Sequence, residues 1–369
     1  MPKTFHAETR SDVQLAVRSS SKIRIVGNGT KDLSYKESFD IDEIDKLVVT
    51  RIAGILEYDS SEFTVTAKAG TRVDDLKAIL AEQGQFLPFD PPLVDQGATL
   101  GGMIAAGISG PSRLRFGGIR DFILGVQFVD GTGAIAKAGG KVVKNAAGFD
   151  IPKLMVGSWG ELGVLTEVTL KVFPRPLEYC SIKLDASDIG NAIALMHRLV
   201  RSPLEIDALD LEDSRFLLVR LGGLAGAIEK AAERVAEIAR DFRSLTIGES
   251  QLLDQVLWTP LLDWSWCRES EQLIRVPLTS TAIMALDAEL AKHSARCRFS
   301  VAGNVAWIAW PISNEISSLD RILHSLQLDG RIVRGGNVQS SQVGVKTSQA
   351  FAQRILHAMD PENRFARRK

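Results

Sequence analysis

Glycine is spread unevenly along this chain of 369 residues, and that unevenness constrains the fold more than any other feature. Its 31 glycines are dense from Gly97 to Gly163 and sparse from Ser181 to Ala302. Glycine loses more conformational freedom on folding than any other residue, so a dense run marks backbone that must turn tightly or pass close to something. The stretch Pro174-Arg175-Pro176 ends a strand-like run and separates the two regimes. Single domains usually hold about 100–200 residues, so two domains are expected. The expected division is residues 1–176, then 177–335, with 336–369 returning toward the first domain.

Three glycine clusters carry the argument. Gly27-Asn28-Gly29-Thr30 directly follows Lys22-Ile23-Arg24-Ile25-Val26, a short β-branched run that reads as a strand. Two glycines there let several N–H groups point one way, as an anion nest for a diphosphate requires; an ordinary tight turn has the same look. Neither G-x-G-x-x-G nor a closing Gly-Lys-Ser/Thr is present, so this is not a Rossmann fingerprint or a P-loop. The second cluster, Gly97-Ala98-Thr99-Leu100-Gly101-Gly102-Met103-Ile104-Ala105-Ala106-Gly107, has small side chains almost throughout. It either brings backbone donors against a phosphate or planar ring, or lets a helix pack closely on a sheet. The third, Gly148-Phe149-Asp150 with Gly157, Gly160 and Gly163, either bends past a ligand or simply connects two elements.

Periodicity fills in the rest. Residues 8–19 carry Val13, Ala16 and Val17 at helical spacing, and strands are expected at 46–50, 63–67 and 125–129. Thr71 is placed to cap a helix whose apolar side is Val73, Leu76, Ile79 and Leu80. Asp130-Gly131-Thr132-Gly133 makes a turn into a hairpin partner at 134–136. Thr166, Val168, Leu170 and Val172 alternate with Leu165, Glu167, Thr169 and Lys171, the pattern of a half-buried strand. Beyond residue 177, helices are expected at 189–200 and 225–242 and strands at 216–221 and 305–310. The six tryptophans lie there, Trp159 excepted, and 348–359 reads as a closing helix. This second part reads as an α+β cap.

A formal net charge of −1 implies no general attraction to nucleic acid or an anionic membrane. Cys180, Cys267 and Cys297 lie too far apart for a zinc, redox or iron–sulfur motif, so reduced thiols and no metal are expected. Residues 1–10 lack the apolar stretch of a secretory signal, and no apolar run reaches the roughly 20 residues of a membrane span. The expectation is a cytoplasmic protein that meets the inner face of a membrane only through partners.

The three clusters, in this order and at these separations, resemble the FAD-binding domain of the vanillyl-alcohol oxidase and p-cresol methylhydroxylase (PCMH-type) flavoproteins. Thr166-Glu167-Val168-Thr169-Leu170-Lys171 and Gly118-Ile119-Arg120-Asp121 before Phe128-Val129-Asp130-Gly131 add to the likeness. It is strong from Val26 to Pro174. Pro88-Phe89-Asp90-Pro91-Pro92, Ser109-Gly110-Pro111-Ser112-Arg113 and Lys141-Val142-Val143-Lys144-Asn145 tilt it toward FAD-binding subunits of glycolate-oxidising complexes. The resemblance implies an α+β fold, a two-subdomain FAD-binding domain followed by an α+β cap. It implies that Gly27, Asn28, Gly29 and Thr30 hold the pyrophosphate and that Thr99, Gly101 and Gly102 line its other side and the flavin. Gly107, Gly118 and Asp121 match positions beside the cofactor, and Gly163 and Val164 match the adenosine end. Relatives that attach FAD covalently use a His or Cys beside these loops. Residues 23–31 and 97–121 contain neither, so the FAD is expected to be non-covalent. Such chains commonly end Asp-Pro, then Phe-Asn-Pro-Gly; here Asp360-Pro361 runs on to Asn363, Arg364 and Phe365 without the Asn-Pro-Gly, which removes one expected flavin contact.

The implied reaction takes a hydride from a small 2-hydroxy acid, glycolate or D-lactate, and needs a base for the hydroxyl proton and a cation for the carboxylate. Of the five histidines, His293 and His324 fall in the cap and are the first to examine. Arg275 is the first carboxylate candidate, with Arg113, Arg115 and Arg120 in the cofactor domain, and Trp258, Trp264 and Trp266 could wall a site. Three functions stay open. One is a subunit working with a second flavoprotein subunit and an iron–sulfur subunit. The others are a stand-alone FAD-dependent dehydrogenase and a flavin-bearing scaffold without chemistry of its own.

Overall fold

The computed structural model describes residues 2–31, 44–140, 149–250, 252–335, 341–346 and 349–367. Lys141 to Asn145, Gly148 and the stretch that follows Lys31 lie outside them. The chain divides into two compact units. One comprises Met1–Ser109, Gly117–Arg175 and Ser348–Lys369, the other Gly110–Phe116 and Pro176–Thr347.

The first unit holds two main sheets. A parallel sheet is ordered β1 (Thr4–His6), β3 (Asp45–Val48), β2 (Ile23–Val26). An antiparallel five-stranded sheet runs β4 (Ile55–Asp59), β5 (Thr64–Lys68), β9 (Val164–Lys171), β7 (Ile123–Val129), β8 (Ile135–Gly139). A short ribbon pairs β6 (Gln85–Phe86) with β10 (Phe173–Pro174). Helix α1 (Arg10–Ser19) starts in a capping box between Thr9 and Asp12 and buries Val13, Ala16 and Val17. Helix α2 (Val73–Glu82) begins differently from the expectation. Thr71 does not cap it; its hydroxyl pairs with the backbone of Gly54, and the first helical amide goes to the Ala98 carbonyl. β9 is also more enclosed than an alternating pattern implies, because β5 and β7 flank it and residues of both faces are covered.

The chain end completes this unit. Helix α12 (Gln349–Met359) leads to Asp360, whose buried carboxylate accepts from the amides of Arg364 and Phe365. Phe365 pairs with Ile23 of β2 and is fully buried among Ala16, Ile23, Leu47 and Val164. Arg364 donates to the carbonyls of Val17, Arg18 and Ser20, which closes the C-terminal end of α1.

The second unit is one nine-stranded antiparallel sheet, ordered β14 (Leu245–Ser250), β11 (Glu178–Asp185), β13 (Phe216–Gly223), β12 (Ile206–Glu212), β16 (Arg296–Ser300), β17 (Val305–Pro311), β15 (Glu271–Pro277), β18 (Asp329–Arg334), β19 (Gln342–Gly344). Its apolar face packs on α7 (Ile189–Val200), α8 (Ala225–Asp241), α10 (Ile283–Ala291) and α11 (Ile316–Ser325). The helices offer stripes such as Ile228, Val235 and Ile238 of α8. The other face is polar and aromatic, partly covered by α9 (Leu252–Leu262), whose Trp258 is buried and donates to Ser181. Gly110–Phe116 belongs to this unit, not to the cofactor domain. Its short helix α4 (Arg113–Phe116) presents Arg115 to the buried carboxylate of Asp207 at 2.6 Å and to Glu205.

Candidate functional site

In the first unit one cleft brings the first two glycine clusters together. It encloses about 490 Å³ of empty space, part of it open, and is lined by residues 25–31, Thr99, Gly102, Ala105, Ala106 and Trp159. β2 ends at Val26 and delivers Gly27-Asn28-Gly29-Thr30 straight into it, with Gly29 at φ +72°. From the other side comes helix α3 (Leu100–Ala106), with Thr99 as its N-cap and Thr99 Oγ1 accepting from Gly102 N at 3.3 Å. A Cβ on Gly27 would stand 2.3 Å from Thr99 Oγ1, and one on Gly97 2.4 Å from Asn28 Nδ2. The two loops meet so closely that only bare backbone fits between them. Just beyond α6 (Ile151–Met155), Gly157 N and Trp159 N donate to the carbonyls of Ile104 and Ala105, which brings Trp159 to the cleft wall.

The sequence candidates separate into two groups. Gly27, Asn28, Gly29, Thr30, Thr99 and Gly102 share the cleft. The others are not among its lining residues, and each has a packing role. Gly101 seats α3 on β5: its amide donates to Ala69 O at 2.7 Å, and a Cβ would meet Ala69 at 2.9 Å. Gly107 ends α3 in the left-handed region, against Gly157. Asp121 turns back to accept from Gly118 N at 2.8 Å, at the start of α5 (Ile119–Phe122). Gly163, at φ +153°, fits beneath Phe128, and Val164 is core. Sequence reasoning missed Lys31, Ala105, Ala106 and Trp159. Lys31 directly follows the first cluster and Trp159 sits between glycines, so both lay within reach of the signal used.

Lys31 gives the lining its formal charge, and burial pushes its ammonium from 10.5 down to about 8. Backbone amides, small side chains and a cation suit a diphosphate, and Trp159 suits a planar ring.

In the second unit the cap candidates do not converge. The register places Glu212, Arg298, Trp307, Arg275 and Arg331 in one row across β12, β16, β17, β15 and β18. Directly opposed residues share a face, so this row lies on the polar side. Arg298 pairs with the buried Asp210 at 2.9 Å, and its buried Nη2 has no hydrogen-bond partner. The buried Nε of Arg275 has none either. Burial, Arg113 and Arg331 bring its guanidinium down to about 10, against the pull of Asp329. His293 and His324 are on the opposite side. His293 stacks on Trp310, whose indole belongs to the helix-covered core, and His324 is exposed in the last turn of α11. Trp258 and Trp264 are buried, and Trp266 lies against Arg296. Burial raises the Cys267 thiol to about 11, and the Cys297 thiol well above its usual value, so neither is a poised nucleophile. Among the described residues no cluster of His, Cys, Asp and Glu could hold a metal ion, and no helix is long and apolar enough to cross a membrane.

Residues 4–139 match the family described as FAD binding domain. The match supports FAD as the cofactor, and the residues around the cleft fit one. Glycolate oxidase subunit GlcE of Escherichia coli (strain K12) is 41% identical over 191 residues, 51% of this chain and 54% of that protein. A D-lactate dehydrogenase of Anaerostipes hadrus is 35% identical over 162 residues, 42% of this chain and 34% of that protein. Glycolate oxidase subunit GlcD of Bacillus subtilis (strain 168) is 32% identical over 218 residues, 53% of this chain and 46% of that protein. The matches thus span about half or less of these relatives' own lengths. A solved structure of alkyldihydroxyacetonephosphate synthase superposes with a TM-score of 0.74 at 14% identity, covering 98% of this chain and 76% of that one. The PCMH-type α+β fold expected from the sequence is the fold observed.

Proposed function

We propose that this chain is the FAD-bearing subunit of an oxidoreductase that converts glycolate, or a similar small 2-hydroxy acid such as D-lactate, to the 2-oxo acid. The carrying observation is the cleft between residues 25–31 and the start of α3, whose bare backbone and small side chains fit a dinucleotide. FAD, when bound, would supply the acceptor for the hydride of the carbinol carbon. The chain's own contribution is positional. Residues 27–30 and 99–102 would hold the cofactor through backbone amides and Trp159 would shield it; Arg275 is the second unit's candidate for a carboxylate. No histidine of the second unit lies on the Arg275 face among the described residues, and Glu212 is the carboxylate in the same row. The likeness to subunits of glycolate oxidase supports a complex, with a second flavoprotein subunit and an iron–sulfur subunit completing the electron path and providing any membrane attachment. The FAD is non-covalent, because the cleft lining offers no His or Cys.

The test is anaerobic reduction. The purified yellow chain is mixed with glycolate or D-lactate, alone and with its partner subunits. Bleaching only with partners is the expected result. Rapid bleaching by the chain alone supports a stand-alone dehydrogenase. Absence of bleaching in both, with FAD bound, supports a flavin-bearing scaffold and overturns the reading.

A further inference from the structure

Two arginines oppose each other on the polar side of the nine-stranded sheet. Arg275 of β15 and Arg331 of β18 are direct partners across neighbouring strands. Like charges in that position repel, so the pair works against the fold. The Nε of Arg275 is also buried without a hydrogen-bond partner, which is destabilising in itself. Arg113 of α4 and Asp329 of β18 are near enough to act on the charge of Arg275. Asp329 lies two residues before Arg331, hence on the same side of β18. Three guanidiniums thus share one carboxylate, an excess of two positive charges. Among the described residues no ion pair relieves Arg113, Arg275 or Arg331. Glu212, the carboxylate of the same row, is three strands away and lies 3.8 Å from Arg298. Residues 336–340, which follow β18 in the chain, contain no acidic side chain. On the other side of Arg275 the opposed residue is the buried Trp307, an apolar wall that keeps water out and strengthens any pairing made there.

We propose that Arg275 and Arg331 form one anion site that takes two negative charges, so that the second unit prefers a small dicarboxylate to a monocarboxylate of similar size. This rests on the reading of Arg275 as the carboxylate partner and adds a second residue and a ligand class to it. Opposed cations with a spare donor become favourable once an anion sits between them. A monocarboxylate neutralises one guanidinium and leaves the other unmatched. A dicarboxylate neutralises both, and each planar side chain can offer it a forked pair of donors. A hydroxy dicarboxylate therefore displaces glycolate from Arg275 and inhibits the proposed reaction.

The experiment is anaerobic calorimetric titration of the full FAD-loaded chain with tartronate and with glycolate, at low salt and about pH 7. Tartronate is glycolate with a second carboxylate on the carbinol carbon, so the two differ in the charge under test. Tartronate is expected to bind at least about tenfold more tightly. Arg331→Gln is expected to weaken tartronate by about tenfold or more and glycolate by less than about threefold. Arg331→Lys, which keeps the charge and loses the fork, is expected to recover part of the preference. Arg331→Gln is also expected to raise the melting temperature of the ligand-free chain by about a few degrees, because the opposed charge is gone. Arg321→Gln, at an exposed position of α11, is expected to change neither affinity. An unchanged preference for tartronate in a folded Arg331→Gln overturns the proposal and leaves the reading of Arg275 intact. Equal affinity of the wild-type chain for both acids overturns the proposal as well. A wild-type chain that binds neither acid overturns the proposal and the reading of Arg275 together.

Discussion

The two units make sites from different materials. In the first, the proposed site is made of backbone: residues 27–30 and 99–102 approach so closely that a Cβ on Gly27 would stand 2.3 Å from a hydroxyl. In the second, the notable row is made of side chains, Arg298, Trp307, Arg275 and Arg331, one from each of four strands. A backbone site has to be written in glycine over short stretches, because only glycine permits the approach. A side-chain row can be assembled from positions 275 to 331 with no local pattern at all. The units should therefore fail in different ways when altered.

The largest expected effects are on stability. Arg298→Met leaves the fully buried Asp210 without its cation, which costs about 3–5 kcal/mol. Urea unfolding should show the loss in the second unit, while FAD affinity of the folded fraction stays unchanged. A matching loss of FAD affinity would break the separation between the units. Phe365→Ala should cost a similar 3–5 kcal/mol in the first unit, because the ring is fully buried against β2. Since β2 runs directly into the cleft loop, FAD affinity should fall with it.

Next come the binding effects. Gly29→Val forces a β-branched residue to φ +72° at the cleft, and FAD affinity should fall by at least about a hundredfold with secondary structure retained. An unchanged affinity would show that the backbone of this loop does not hold the cofactor. Arg275→Gln should leave FAD titration unaltered and weaken a carboxylate inhibitor such as oxalate by about tenfold or more, measured by calorimetric titration. If oxalate binds equally well, the row is structural only.

How much was legible follows the same division. The strand at residues 23–26, the turn after it and the helix at 189–200 were visible because local composition and period determine them. Six site residues from the first two clusters fell in one cleft for the same reason. Gly101, Gly107 and Gly163 do not line that cleft, and helix packing, a helix C-terminus and a close strand approach select glycine just as a ligand does. Thr71 misled because its hydroxyl had a nearer partner in Gly54. The placement of residues 110–116 with the second unit could not be read, since the Arg115 pairs with Asp207 and Glu205 span about ninety positions. His293 and His324 were chosen by location in the cap. Which side of a sheet a residue serves depends on register, and the chain does not display register between distant strands.

The smallest expected effect tests the boundary between backbone and side chain inside the cleft itself. Thr99 is the one lining residue whose side chain caps the helix that carries the second loop, through a long 3.3 Å bond to Gly102 N. Thr99→Val keeps the shape and removes the acceptor. Loss of an N-cap costs about 1 kcal/mol, so a melting shift of a few degrees and a several-fold loss of FAD affinity are expected. Thr99→Ser retains the hydroxyl and should restore most of both. If Val and Ser behave alike, the methyl contact with the loop at Gly27 matters and the cap does not. If Val costs as much as Gly29→Val, the first unit's recognition depends on a side chain as heavily as the second unit's, and the contrast between backbone and side-chain sites fails at its strongest point.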